Sequence, residues 1–218
     1  MVKNSKVYLL FFATIMTTAF GDAMVMKANV GINAYETISM TLNYATHIKL
    51  GTAGLICNVI CMIIYMIHTR KINFTVLMQV PMCLVAGMTV NFVYYVLFSS
   101  MQLIYPMRLI MAIVGLIISA SSCGLIMNLD VGAYPYESLC QVLSDQHHIP
   151  YARVHMTFDI LAVVITTLIS FFFHYDFAVR EASVISMLIF GPVMGFSMKK
   201  TKGLVVWAKQ TALVAKTH

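Results

Sequence analysis

The chain has 218 residues, of which 60% are hydrophobic and 10% charged, with a mean hydropathy of +0.85 and a formal net charge of +6. Soluble domains carry about 25% charged residues, so this composition excludes a water-coated globule. A nucleic-acid-binding face is excluded too, because the basic residues gather at the ends of apolar segments instead of interleaving with a polar scaffold.

A helix crosses a bilayer with about 20 mostly apolar residues, and segments of that kind recur along the chain. The first span, near 7–26, follows Lys3 and Lys6. This start also has the charged lead and apolar middle of a secretory signal, but its end takes part in the repeat described below, which a cleaved leader has no reason to do. A polar stretch, NVGINAYETISMTL at 29–42, predicts a half-helix near 33–46. Spans near 52–68 and 76–98 come next, the third carrying Gln79 and Pro81 at its start. A fourth span near 106–127 leads into DVGAYPYESLCQVL at 130–143, predicting a half-helix near 135–146. The fifth and sixth spans lie near 155–173 and 183–198, before a basic tail at 199–218. That tail mixes Val205, Val206, Trp207, Leu213 and Val214 with Lys209 and Lys216, the pattern of an interfacial amphipathic helix or of a polar end. With six spans, Lys3 and Lys6, Arg70 and Lys71, and Lys199, Lys200 and Lys202 fall on one side, which the positive-inside rule makes cytoplasmic. Lys27, Lys49, Arg108 and Arg180 fall on or near the other side, so the bias is incomplete.

Residues 23–42 align without gaps on 124–143, an offset of 101 (124 − 23). Identical pairs are Met26/Met127, Val30/Val131, Gly31/Gly132, Tyr35/Tyr136, Glu36/Glu137 and Leu42/Leu143, and the register continues through His47/His148 and Ile48/Ile149. It also places Asn58 opposite Asp159. Shared apolarity aligns any two membrane helices, but not a Gly, a Tyr-Glu pair and an intramembrane polar residue together. The predicted fold is therefore all-α and polytopic: two inverted three-helix repeats, 1–105 and 106–198, and a tail at 199–218. Three crossings per unit put the second unit upside down, as in many secondary transporters.

In each polar stretch Gly31 or Gly132 frees the backbone to turn. Asn33 and Glu36 have the N-x-x-E spacing of a capping box, and Pro135 suits a first helical position. Two placements fit. The stretches re-enter the membrane, where a helix start with free N–H groups suits an anion or a polar ligand atom, or they are interfacial helices whose glutamates serve the helix dipole. Asp22, Asn58, Asn91 and Asp159 also lie at membrane depth, where an ionisable group costs about 2.5–3.5 kcal/mol on insertion scales and so has a partner or a role. With Glu36 and Glu137 they are the expected lining of a substrate cavity, and Tyr35 and Tyr136 its flat walls.

The five cysteines, Cys57, Cys61, Cys83, Cys123 and Cys140, lie almost wholly in apolar segments and read as buried thiols, without a disulfide framework. His147, His148 and His155 lack cysteine or carboxylate at ligand spacing, so no metal site is expected, nor any cofactor. No catalytic fingerprint is present, and no enzyme is predicted.

The Gly-x-x-Pro-x-acid pattern of GAYPYE, together with the Gly-Pro of ASVISMLIFGPVMGFSMKK near the end of the last span, resembles the YczE/YyaS/YitT group of bacterial membrane proteins. That resemblance implies a multi-pass protein of the bacterial inner membrane and agrees with a suspicion of transport. The expected function is binding and transport of a small solute near the bilayer midplane. A substrate-capturing subunit energised by a separate ATPase module and a non-transporting scaffold or accessory protein are the alternatives. The expected partners are the lipid bilayer, the solute, and a homo-oligomeric or energising subunit, with no nucleic acid.

Overall fold

A segment in lipid has no water to satisfy its amides, so each apolar run closes them internally as a helix. The computed structural model describes residues 5–70, 74–129 and 131–214, with side chains described for all of these except Ser5, Ala152 and 204–214. Lys3, Lys71, Asp130 and the tail side chains from Val205 onward, the expected Trp207 anchor among them, lie outside the described residues. Among the described residues, six helices are long and apolar enough to cross a membrane. They are α1 (Ser5–Ala28), α3 (Leu50–Thr69), α4 (Phe74–Phe92) with a π-helical turn at Val93–Leu97, α5 (Tyr105–Leu129), α7 (Tyr151–Phe173) and α8 (Glu181–Val214). Two are short, α2 (Glu36–Thr46) and α6 (Pro135–His147), and among the described residues there is no strand.

Several boundaries differ from the sequence expectation. Pro81 sits inside α4 and not at its start, which a membrane helix tolerates when neighbours cover the freed carbonyl. Helix α8 continues past Met198 to Val214, through lysines that are good helix formers.

The bundle is apolar outside, and its apolar core also takes in hydroxyl side chains. Thr14, Thr18, Ser119, Thr166, Ser170 and Ser186 are buried, while Ile60, Ile67, Leu168, Phe172 and Leu188 project outward. The threonines satisfy their hydroxyls on their own helices, as Thr14 and Thr18 do on the carbonyls of Leu10 and Thr14, so they need no water. At the centre α1 crosses α5 with the backbones nearly touching. A Cβ at Gly21 would stand 2.7 Å from the Gly115 carbonyl oxygen, and one at Gly115 the same distance from that of Gly21. Such an approach gives van der Waals packing where lipid supplies no hydrophobic drive between helices.

Contacts sort the helix ends into two faces. At one, the Lys27 ammonium lies over the Tyr94 ring, the Arg180 guanidinium donates to the Asn29 carbonyl at 2.8 Å, and Arg108, Asp176 and Tyr44 close a shared recess. At the other, Phe11 and Thr75 lie against Gly132, His68 bonds Gln146, and Asn128 donates to the Met198 carbonyl at 2.6 Å. Lys6, Arg70 and Lys199 therefore share the second face.

The two polar stretches dip into the bundle from opposite faces. The first turns at Gly31, whose φ of +108° favours glycine, and is pinned by α8: the Ala182 N–H donates to the Val30 carbonyl at 2.8 Å and the Ile32 N–H to Ser183 Oγ at 3.1 Å. The second is pinned by α4, where Gln79 Nε2 donates to the Ala133 carbonyl at 3.1 Å and to Ser138 Oγ at 2.8 Å. From its inner start, α2 runs back to Tyr44 at the first face, and α6 runs back to Gln146 at the second. Both close on a left-handed histidine, His47 at φ 57° and His148 at φ 54°. Each short helix packs on both α3 and α7.

The expected capping box does not form. Asn33 Oδ1 accepts from the adjacent Ala34 N–H at 3.0 Å, α2 begins at Glu36 itself, and Glu36 Oε2 has no protein partner. Pro135 does occupy the first position of α6.

Candidate functional site

Where the two stretches meet, the bundle holds a cavity of about 90 Å³ open to the centres of water molecules. Roughly 10–15 Å³ of such volume holds one water, so the space suits a compact solute of a few heavy atoms. Its wall draws on α1, α2, α3, α4, α5 and α6, with Phe190 from α8.

Six of the eight residues expected at a site line this cavity: Asp22, Tyr35, Glu36, Asn58, Tyr136 and Glu137. The α1–α5 crossing at Gly21 and Gly115 brings Asp22 against Ser119, whose hydroxyl donates to Asp22 Oδ1 at 2.5 Å. Asp22 and Glu36 are close enough to share a hydrogen bond. Across the space the rings of Tyr35 and Tyr136 stack with centroids 4.2 Å apart, and Tyr35 OH lies 3.5 Å from Cys61 Sγ. Asn58 keeps its amide on its own helix, donating to the Gly54 carbonyl at 2.9 Å.

The other two residues stand elsewhere. Asp159 lies behind the wall, accepting from Tyr136 OH at 2.8 Å through Oδ1 and held by His155 Nδ1 at 3.1 Å through Oδ2. It orients a wall residue and does not line the space. Asn91 clamps the start of α3, its Oδ1 accepting from the Gly51 N–H at 2.9 Å, because an amide side chain can stand in for a missing helix partner.

Glu36 and Glu137 lie outside the six spans. Burial first, and then the nearby Asp22 carboxyl, holds the Glu36 carboxyl well above the usual carboxylate range. Burial raises Glu137 as well, with His155 pulling the other way. Each has one buried carboxyl oxygen, Oε2, without a protein partner. Among the described residues the lining contains no lysine, arginine or histidine, so none of these supplies a fixed positive charge in the wall to counter the carboxyls. The helix starts that suggested an anion already carry the chain's own Glu36 and Glu137 in their first turns.

Sequence reasoning missed Thr18, Ser39, Ser119, Tyr134 and Phe190 as lining residues. For Ser119 a signal existed, since SASSCG at 119–124 is a run of small and polar residues inside an apolar span. All five cysteines are free, and Cys83 and Cys123 also face the cavity. Among the described residues no group of His, Cys, Asp and Glu is placed to hold a metal.

No curated protein and no solved structure matches the chain. A family model matches it over residues 5–199, and the chain belongs to that family, described as a family of unknown function, DUF6198.

Proposed function

We propose that the protein is a membrane transporter of a small solute, without enzymatic activity, which holds its solute in the central cavity between two inverted halves. The observation that carries this reading is the meeting of the two polar stretches, reaching in from opposite faces, at a cavity lined by Glu36, Glu137 and the Tyr35–Tyr136 stack. A site at the junction of two opposed halves can be exposed to either face by rocking one half against the other.

Reciprocal contacts at the offset of 101 support the inverted halves. Gln79 and Arg180 are equivalent positions (180 − 79), and each donates to a backbone carbonyl of the other half's polar stretch, Ala133 and Asn29. Asn43 and Ser144 are likewise equivalent, and each donates to the carbonyl five residues ahead, Ile48 and Ile149. The similarity to the YczE/YyaS/YitT group, a bacterial inner-membrane setting and cytoplasmic termini belong to the same reading. Proteoliposomes of the purified chain test it: autonomous solute uptake that disappears in the double variant Glu36→Gln, Glu137→Gln is expected. Uptake unchanged by that double variant removes the proposal, and tight binding without uptake favours a capture subunit that needs an energising partner.

A further inference from the structure

The wall chemistry carries a statement about the solute itself, which rests on the reading of the cavity as the solute site. Three carboxyl groups, Asp22, Glu36 and Glu137, border a space whose lining holds no basic side chain among the described residues. Acidic residues alone make no site, but Glu137 lines the cavity, is 91% buried (9% exposed), and its Oε2 has no protein hydrogen-bond partner. A buried, unpartnered carboxyl oxygen forgoes a stabilising hydrogen bond unless something in the cavity supplies a donor. Beside it Tyr35 and Tyr136, stacked on each other, add aromatic surface to the lining.

We propose that the cavity binds a small organic ammonium ion, its N–H groups donating to Glu137 and Glu36 and its alkyl part lying against the tyrosine stack. An anion would meet three carboxyls and no basic side chain among the described lining residues, His155 standing behind the wall on Asp159. A bare alkali ion would want about six converging oxygen ligands, whereas much of this wall is aromatic and aliphatic. The ammonium class satisfies both parts of the wall at once.

The test uses the full chain, purified in detergent, with three probes of similar size: ethylammonium, propionate and propanol, against sodium chloride at matched ionic strength. Thermal unfolding is followed with each, and the affinity of any probe that acts is measured by calorimetry. Ethylammonium alone is expected to raise Tm, by several degrees and saturably, with affinity at least tenfold weaker in Glu137→Gln and in Glu36→Gln. Those variants are near-isosteric, and their unliganded Tm shows that they fold. An equal response to propionate, propanol or sodium chloride overturns the proposal, as does no response to ethylammonium or an unchanged affinity in both variants. Uptake assays separate this from the transport reading. Ethylammonium binding without uptake sinks transport and leaves the cation site, whereas uptake of propionate in place of ethylammonium sinks the cation site and leaves transport.

Discussion

Tyr35 and Tyr136 stack with their rings 13° from parallel, although one belongs to a stretch that enters from the Lys27 face and the other to a stretch that enters from the His68 face. The contact joins the tips of two elements whose own backbones are anchored elsewhere, on α8 and on α4. If the two proposed halves move against each other, these rings must slide or part. Tyr136 is also tied to Asp159, and Asp159 to His155, so the stack is oriented by α7 as well.

Tyr136→Phe tests that tie. It keeps the ring and removes the hydroxyl donor, leaving the buried Asp159 with His155 as its remaining side-chain partner. Leaving a buried charged or polar group short of a partner costs about 1–3 kcal/mol. A lowered Tm is expected in detergent, and much of it should be recovered in Tyr136→Phe, Asp159→Asn. A single variant as stable as the parent would show that the hydroxyl contributes nothing to the wall.

How far the site was legible in the sequence depended on the residue. The Tyr-Glu pair was readable because it recurred in register amid apolar surroundings, and Asp22 because a carboxyl inside a span has few bland explanations. Asn91 carried the same signal and proved to be a clamp for Gly51, since depth in a span does not say which neighbour a polar side chain meets. Ser119 and Thr18 were unreadable as lining for the opposite reason: hydroxyl side chains in apolar helices commonly satisfy themselves on the preceding turn, as Thr18 does. The capping-box spacing at Asn33 and Glu36 misled, because a local pattern that stabilises a helix end lost to a tertiary arrangement in which Glu36 lies beside Asp22.

The glutamates should make stability depend on pH with a definite sign. Both carboxyls are raised above the usual range in the folded protein, so the folded state holds protons more tightly than the unfolded state does. Stability then falls as pH rises from the ordinary glutamate value of about 4.3 through the raised folded values. Glu36→Gln removes part of that slope and raises Tm at neutral pH relative to the parent. Thermal unfolding of parent and variant across pH 4 to 9 measures it, about 4.3 being the start of the window. A parent curve that rises with pH would mean that the carboxylate forms are the stabilised ones.

The α1–α5 crossing gives a packing prediction free of any assumption about the solute. Gly21→Leu must push apart two backbones that leave no room even for a Cβ. Overpacking of this kind costs about 1–3 kcal/mol or more, and it would also displace Asp22 from Ser119. A lower Tm and a broadened gel-filtration peak are expected. Gly191→Leu is the control, because a Cβ there meets nothing within 4 Å, and it should behave like the parent. Equal effects from the two substitutions would place the close approach elsewhere.

The anchoring of the two polar stretches predicts a crossed response in hydrogen exchange. Gln79→Leu removes the donor to Ala133 and Ser138, so faster amide exchange is expected at 131–138, in a stretch far along the chain from the substitution. Ser183→Ala removes the acceptor for the Ile32 N–H, and faster exchange is expected there at 31–34, with the other stretch unchanged. Each lost hydrogen bond is worth about 0.5–1.5 kcal/mol, enough to raise local opening by roughly two- to twelve-fold if that energy appears wholly in the opening equilibrium. Mass spectrometry of peptides from both stretches reads the two variants side by side. If each substitution instead loosened the stretch of its own half, the halves would be self-contained, and rocking one against the other would leave the central tyrosines without opposing anchors.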